Sequence, residues 1–241
     1  MEHPSLIQAV TVNHNTSRYV ELLLRSLYAK HTSELNMAIT VMDNGSRDDM
    51  TDLLQLLEEK AIPLYQSGFN VETKVNSHGE VLAQFVLEHP YCRYYLFLDA
   101  DVCFIEDSTI DLMMAQLEAD NRLFDVGVRQ TWDGQEEIPT EIHQAIYFDR
   151  LHPCCALVKN TPLFRCIVEE IGFTGVTYHW VAGEKYVDTF ELMTRVMKTH
   201  GLYHSIVPKM VYHFFSVSYD DQWMESKNQR RDRLLETLRI E

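Results

Sequence analysis

The stretch "YYLFLDADVCFIED", residues 94–107, decides how the rest of the chain is read. Tyr94, Tyr95, Leu96, Phe97 and Leu98 form an apolar, aromatic run of strand length, and Asp99, Ala100 and Asp101 follow at once. Short apolar runs of this kind suit a strand buried on both faces. A core strand has no need of two terminal carboxylates, which are costly to bury without compensation. In open α/β sheets, ligands bind outside the carboxyl ends of the strands. The greasy run is therefore read as fold, and the acidic pair as site.

Working outward, the chain reads as alternating strands and helices. Residues 6–12 form a short apolar strand ending in the polar "NHNTS", and Thr16 or Ser17 caps a helix with Val20, Leu23, Leu24 and Leu27 at helical spacing. Residues 37–42 ("MAITVM") form a second buried strand that ends in the turn chemistry of "DNGSRDD", and "MTDLLQLLEEK" returns as a helix. A weaker strand is expected at 62–65, a helix at 79–88, and a helix at 108–119 whose "STID" start resembles a capping box. Residues 125–129, 154–158 and 202–207 read as strands, 188–199 as a helix ending near Gly201, and the last twenty or so residues as helical. Residues 130–153 show no clean period. Alternation of this kind predicts βαβ units and a mostly parallel, doubly wound central sheet flanked by helices. The expectation is one α/β domain over 1–241, with a regular half at 1–129 and a more irregular half at 130–241.

Bulk properties bound the partners. The chain has 241 residues and a formal charge of −15, from 21 basic and 36 acidic residues. A field of that sign repels phosphate backbones and anionic lipid, so nucleic acid is not the expected partner. Residues 227–233 ("KNQRRDR") are the one candidate basic patch, with a solvated helix face as the plainer reading. Five cysteines without a CxxC pair argue against a disulfide framework or zinc knuckle, and Cys154–Cys155 reads as core packing. The opening "MEHPSLIQAV" lacks a basic stretch followed by a long apolar one, and no apolar run reaches membrane-spanning length. A cytoplasmic protein without signal peptide or transmembrane segment is expected.

Three strands end in reactive-looking polar groups: Asn13-His14-Asn15, Asp43-Asn44-Gly45-Ser46 and Asp99-Ala100-Asp101. Parallel neighbours would bring these to one edge. Hard carboxylate oxygens suit Mg²⁺ or Mn²⁺, which are usually completed by waters and substrate phosphates. A turn or helix-cap role is the alternative for Asp99 and Asp101. His78, ahead of a helix, can offer an imidazole and backbone N–H groups to a phosphate, or simply mark helix entry. Asp43 can close an Asx turn with Asn44-Gly45.

At this point the chain resembles a GT-A glycosyltransferase, of the family 2 type. The resemblance rests on "AVTVNHNTSRYVELLLRSL", "ITVMDNGSRDD", "SHGEVLAQFV", "YLFLDADV", "YVDTFELMTRVMKTHG" and "VPKMVYHF", in the family's order. It implies a metal-dependent enzyme that moves a sugar from a nucleotide-diphospho-sugar, a UDP-sugar first, to an acceptor hydroxyl with inversion. It also implies that Asp43 binds the base or ribose, with Val12 and Asn13 lining the same pocket. Asp99 and Ala100 would contact the donor, Asp101 would ligate Mn²⁺ or Mg²⁺, and His213 would complete the metal site. Asp188 falls at the catalytic base position. The chain has Asp188-Thr189 where the family has Glu-Asp, so Glu184 and Glu191 compete for that role.

Each residue also has a structural alternative: an N-cap for Asp188, a satisfied core histidine for His213. The aromatics Trp132, Tyr147, Phe148, Tyr178 and Trp180 suit an acceptor pocket or ordinary packing. Two other functions compete. A nucleotidyltransferase would carry a Gly-rich basic loop after its first strand, and "TVNHNTSRY" has no glycine and only Arg18. A non-catalytic nucleotide-sugar-binding protein draws support from the altered Asp188-Thr189 position.

Overall fold

The computed structural model of the chain describes residues 6–31, 35–67, 77–132, 136–137, 147, 149–181, 183–218 and 222–240. The chain opens with β1 (Ile7–Asn13), α1 (Ser17–Lys30), β2 (Met37–Asp43), α2 (Thr51–Glu59), β3 (Leu64–Gln66), α3 (His78–Glu88) and β4 (Tyr94–Leu98). It continues with β5 (Val102–Phe104), α4 (Thr109–Ala119), β6 (Leu123–Trp132), β7 (Glu136–Glu137), β8 (Cys155–Lys159) and α5 (Pro162–Ile171). The remaining elements are β9 (Val176–Trp180), β10 (Gly183–Val187), α6 (Glu191–Thr199), β11 (Tyr203–His213) and α7 (Met224–Ile240).

One sheet runs β3-β2-β1-β4-β8-β6-β11-β5, with β7 annexed to β6. β3, β2, β1 and β4 pair in parallel, as do β6 and β11, while β8 and β5 run against their neighbours. The mostly parallel α/β sheet expected from the sequence is thus present, with β8 inserted as a reversed strand. β4 lies inside the sheet, and its five side chains are buried. Tyr94, Leu96 and Leu98 face one core, and Tyr95 and Phe97 the other. This two-sided burial explains why the run is continuously apolar. Each such side chain contributes about 1.5–3 kcal/mol by leaving water.

Helices cover both faces. α1, α2 and α4 place Leu23, Leu27, Leu53, Leu56, Ile110 and Met113 on the first core. α3, α5 and α6 place Val81, Phe85, Phe164, Ile167, Met193 and Met197 on the second. α7 packs on α1 through Leu235, Leu22 and Tyr19. That contact surrounds Glu21, a fully buried acid held by Arg25 at 2.8 Å, Arg239 at 2.7 Å and Arg18 at 3.1 Å. Stripping a buried charge of its partners costs about 3–5 kcal/mol, so this cluster pins α7 to α1.

Several local expectations need correction. The "STID" start does not form a capping box: Ser108 sits at φ 56° and its side chain makes no cap hydrogen bond. The capping box belongs instead to α3, where Ser77 and Glu80 bond reciprocally. Asp188 is not the N-cap of α6. That position is Phe190, at φ 70°. The basic segment is not a free patch, because Lys227 is buried and donates to the Phe215 carbonyl at 2.8 Å. Arg231 lies over the Tyr19 ring at 4.8 Å. α5 was missed altogether, although Thr161 caps it and Pro162 opens it. Of the aromatics named above, Phe148 and the side chains of Tyr178 and Trp180 lie outside the described residues. No helix among the described residues is long and apolar enough to cross a membrane.

Candidate active site

The register of the parallel strands sets the site. Asn13 pairs with Asp43 across β1 and β2, and Thr11 with Leu98 across β1 and β4. Asn13, Asp43 and Asp99 therefore emerge at one edge. The Asn13 amide donates to Asp43 Oδ1 at 3.1 Å and to Ser17 Oγ at 3.0 Å, and the Ser46 N–H donates to Asp43 Oδ2 at 3.3 Å. Asp48 accepts from the N–H and hydroxyl of Ser17, closing the α1 N-terminus. Asn13 and Asp43 are thus buried and turned into a polar brace. The cavity above them is lined from these loops by Val12, His14 and Asn44. His14 Nδ1 lies 2.8 Å from the Asn44 carbonyl oxygen, tying the two loops together.

The cavity holds about 740 Å³. Its floor carries Asp99, Ala100, Asp101, His78, His152 and His213. β11 brings His213 to this edge, and the Phe214 N–H donates to the Asp101 carbonyl at 3.0 Å. His213 Nε2 lies 3.2 Å from Asp101 Oδ1 and 3.6 Å from Asp99 Oδ2. His78 Nε2 is 3.5 Å from the other Asp99 oxygen, and His152 Nδ1 is 3.6 Å from Oδ2. Burial pushes the Asp99 carboxyl above the ordinary carboxylate range, against the pull of His78 and His213. Burial acts on Asp101 as well, but the adjacent, hydrogen-bonding His213 leaves that carboxyl below the range. Burial, then Arg150 and the neighbouring histidines, holds His152 well below the usual imidazole value, so its ring is neutral. The other ring nitrogen of His213, Nδ1, lies 2.8 Å from Gln130 Oε1. That partner gives an Nδ1–H its acceptor and holds the ring with Nε2 toward the two carboxylates.

Two carboxylates and one imidazole within reach of one another form a donor set suited to a hard divalent cation. The residues present fit such an ion, because the half-buried Asp99 is ringed by imidazoles at 3.5 and 3.6 Å and, among the described residues, by no lysine or arginine in a salt bridge.

The opposite wall comes from α3, the loop before β9, and the β9–β10 hairpin. Gly79 is required here: a Cβ would come within 2.7 Å of the Phe173 and Thr174 backbone. That close approach seats Ser77, His78 and Thr174 on the cavity. Asp188 follows β10 and lines the same cavity with Tyr186 and Thr189. Arg150, nearly buried, pairs with Asp188 Oδ2 at 2.5 Å and donates to the Thr189 carbonyl at 2.6 Å. The Thr189 N–H donates to Asp188 Oδ1 at 2.7 Å, and the Asp188 N–H to Glu191 Oε2 at 3.1 Å. Glu191 is further engaged by Arg195, and Glu184 pairs with His179 on the exposed hairpin. Neither glutamate lines the cavity, unlike Asp188.

No protein-family model and no curated protein matches the sequence. Solved structures do match its architecture. The mannosyltransferase PcManGT from Pyrobaculum calidifontis, in complex with GDP-Man and Mn2+, is similar at TM-score 0.63 and 14% identity, over 96% of this chain and 62% of that one. S. aureus TarS is similar at TM-score 0.61 and 14% identity, over 95% of this chain and 42% of that one. Glucosyl-3-phosphoglycerate synthase from Mycobacterium tuberculosis is similar at TM-score 0.57 and 15% identity, over 97% and 79%. The chain has the GT-A fold. It spans less than two thirds of the length of the first two proteins.

Of the residues the sequence singles out, the fold brings Val12, His78, Asp99, Ala100, Asp101, Asp188 and His213 to one cavity, whereas Asn13 and Asp43, expected to line the nucleotide pocket, bond to each other beneath it. It overlooked His152, Arg150, Tyr186 and Gln130. His152 and Arg150 belong to "DRLHPCC", where no periodicity signals a site. Gln130 is buried within β6, and only its pairing with β11 brings it to His213.

Proposed function

We propose that the chain is a metal-dependent glycosyltransferase that moves a sugar from a nucleoside-diphosphate sugar to an acceptor hydroxyl, with inversion. The observation that carries this reading is the convergence of Asp99, Asp101 and His213 on the cavity that Asp188 also lines. Asp101 and His213, with Asp99 beside them, would hold Mn²⁺ or Mg²⁺. When bound, such an ion would neutralise the charge that develops on the departing diphosphate. Val12, His14 and Asn44 line the end of the cavity suited to the nucleoside, above the Asn13–Asp43 brace. His78 and Gly79, at the start of α3, offer backbone N–H groups and the His78 imidazole to the phosphates.

Asp188 is the base. It would accept the acceptor hydroxyl's proton as that oxygen bonds to the anomeric carbon and the bond to the diphosphate breaks. Arg150 and the Thr189 N–H orient its carboxylate, and Tyr186 flanks it with its hydroxyl 3.4 Å from Oδ1. The GDP-Man and Mn2+ complex of the mannosyltransferase and the UDP-GlcNAc complex of TarS support this donor class. UDP-sugars are the first donors to try. Five free cysteines support a reducing, cytoplasmic setting.

One observation favours a second reading, a nucleotide-sugar-binding protein without turnover. Arg150 neutralises the Asp188 carboxylate that has to receive the proton. Thermal shift across a panel of nucleotide sugars, with and without Mn²⁺, followed by transfer and hydrolysis assays on the binders, separates the two. Mn²⁺-dependent binding with turnover is the expected result. Binding without turnover to any acceptor or to water would establish the second reading.

A further inference from the structure

Beside the acidic triad lies a second ligand set of different chemistry. His152, Cys154 and His213 each offer one atom, and these atoms lie within 4.8 Å of one another. Asp99 Oδ2 stands 3.6 Å from both His152 Nδ1 and His213 Nε2, so a fourth donor borders the set. The two imidazoles are 5.3 Å apart between ring centroids and tilted by 58°, so they do not stack face to face. The scaffold is firm. The Asp99 N–H donates to the Cys154 carbonyl at 3.1 Å, and β4 and β8 pair in the register Leu98 to Cys155. Cys154 and His213 are buried, and His152 lines the cavity, which gives an ion its way in.

The two sets differ in what they select. Carboxylate oxygens suit Mg²⁺ and Mn²⁺, whereas thiolate and imidazole suit Zn²⁺. Zinc takes four such ligands in a tetrahedron, and sulfur, two nitrogens and one carboxylate oxygen lie within its range. At a site of mixed donors zinc also binds more tightly than manganese. His213 and Asp99 belong to both sets, so the two ions exclude each other.

We propose that His152, Cys154 and His213, with Asp99 as fourth ligand, form a zinc site that overlaps the donor-cation site and competes with it. The consequence for catalysis rests on the glycosyltransferase reading, while the zinc site stands on its own ligands. Coordination exchanges the Cys154 thiol proton for the ion, which releases one proton per ion bound. Zinc in this position takes His213 and Asp99 away from the ion that serves the diphosphate.

Cobalt(II) is the probe of choice, because a coordinated thiolate gives it a sulfur-to-metal charge-transfer absorption. The metal-free protein should gain that band on cobalt addition and lose it on zinc addition. Cys154→Ser and Cys154→Ala should abolish the band. Zinc affinity should fall by at least the roughly 10–100-fold that an outer-sphere partner is worth, with Mn²⁺ still bound. His152→Gln, at the open side of the site, should weaken zinc likewise. Asp101→Asn should do the converse, losing Mn²⁺ and keeping the cobalt band. Zinc added to the Mn²⁺-loaded protein should release free Mn²⁺, read by its paramagnetic resonance signal. No thiolate band in the wild type, or unchanged zinc affinity in all three zinc-site variants, overturns the zinc site. Zinc and Mn²⁺ bound together overturns the overlap. Zinc bound by a wild type that never binds Mn²⁺ sinks the donor-cation reading and leaves the zinc site standing.

Discussion

The buried Asp101 and half-buried Asp99 just past the end of β4, and the buried Asp125 within β6, are all acids drawn out of water, but they meet that cost in different ways. The first two face His78, His152 and His213 across the cavity. Asp125 is fully buried, and neither of its carboxylate oxygens has a hydrogen-bond partner among the described residues. Burial pushes its carboxyl well above the ordinary range. A charge withdrawn from water must be paired or given up. At the strand end it is paired and poised for a cation. Inside β6 it is given up, and the group sits there as a neutral acid. A buried carboxylate is therefore no sign of a site by itself. The sign is a buried carboxylate whose neighbours want it charged, next to space for a ligand.

The comparison breaks most visibly at Asp101. Asp101→Ala should abolish Mn²⁺-dependent nucleotide-sugar affinity, measured by titration calorimetry, while the circular dichroism spectrum and melting transition persist. Unchanged affinity would place the cation elsewhere. Next in size, Asp188→Ala should keep donor affinity and lower turnover by about 10²–10⁴-fold, the range of general base catalysis. Retained turnover would move the base to Glu184 or Glu191. Gln130→Leu sharpens the comparison from beneath. It removes the hydrogen bond that orients His213, so Mn²⁺ affinity should drop about 10–100-fold. Gln130→Glu, which keeps an acceptor for Nδ1–H, should restore most of it.

The smallest functional effect belongs to Asp125→Asn, which should leave Mn²⁺ affinity alone and change only stability. The carboxyl titrates near 3.9 in the unfolded chain and well above that in the fold. Between the two values the folded state binds more protons, so rising pH destabilises the wild type. Within that window the wild type loses about 1.4 kcal/mol per pH unit relative to the variant. Melting curves of both proteins from about pH 4 upward should diverge as pH rises. Parallel curves would mean that Asp125 stays charged and has a partner.

Much of the first part of the molecule was legible because its signals are local. β4 reads from its own five residues, and α3 from the run "GEVLAQFVLE" stopped by His89-Pro90, although its Ser77 cap shows only in the structure. The later part was harder for the same reason. The β9–β10 hairpin is largely exposed and has no buried face to set a period. β11 begins where expected but runs on to His213, because its far end pairs with the short edge strand β5. β5 itself, three residues long, has no period of its own.

The sequence by itself determined the alternation of strands and helices, the three polar strand ends and the choice of Asp99, Asp101, His213 and Asp188 as the chemistry to watch. Apolar periodicity and residue type are properties of short segments and survive without a partner. Only the tertiary structure decided that Asn13 and Asp43 brace the cavity from below, that Arg150 grips Asp188, and that Gln130 and Cys154 reach the histidines. The Asn13–Asp43, Arg150–Asp188 and Gln130–His213 contacts join residues 30 to 83 positions apart, and strand register and helix packing, not local propensity, set which side chains meet.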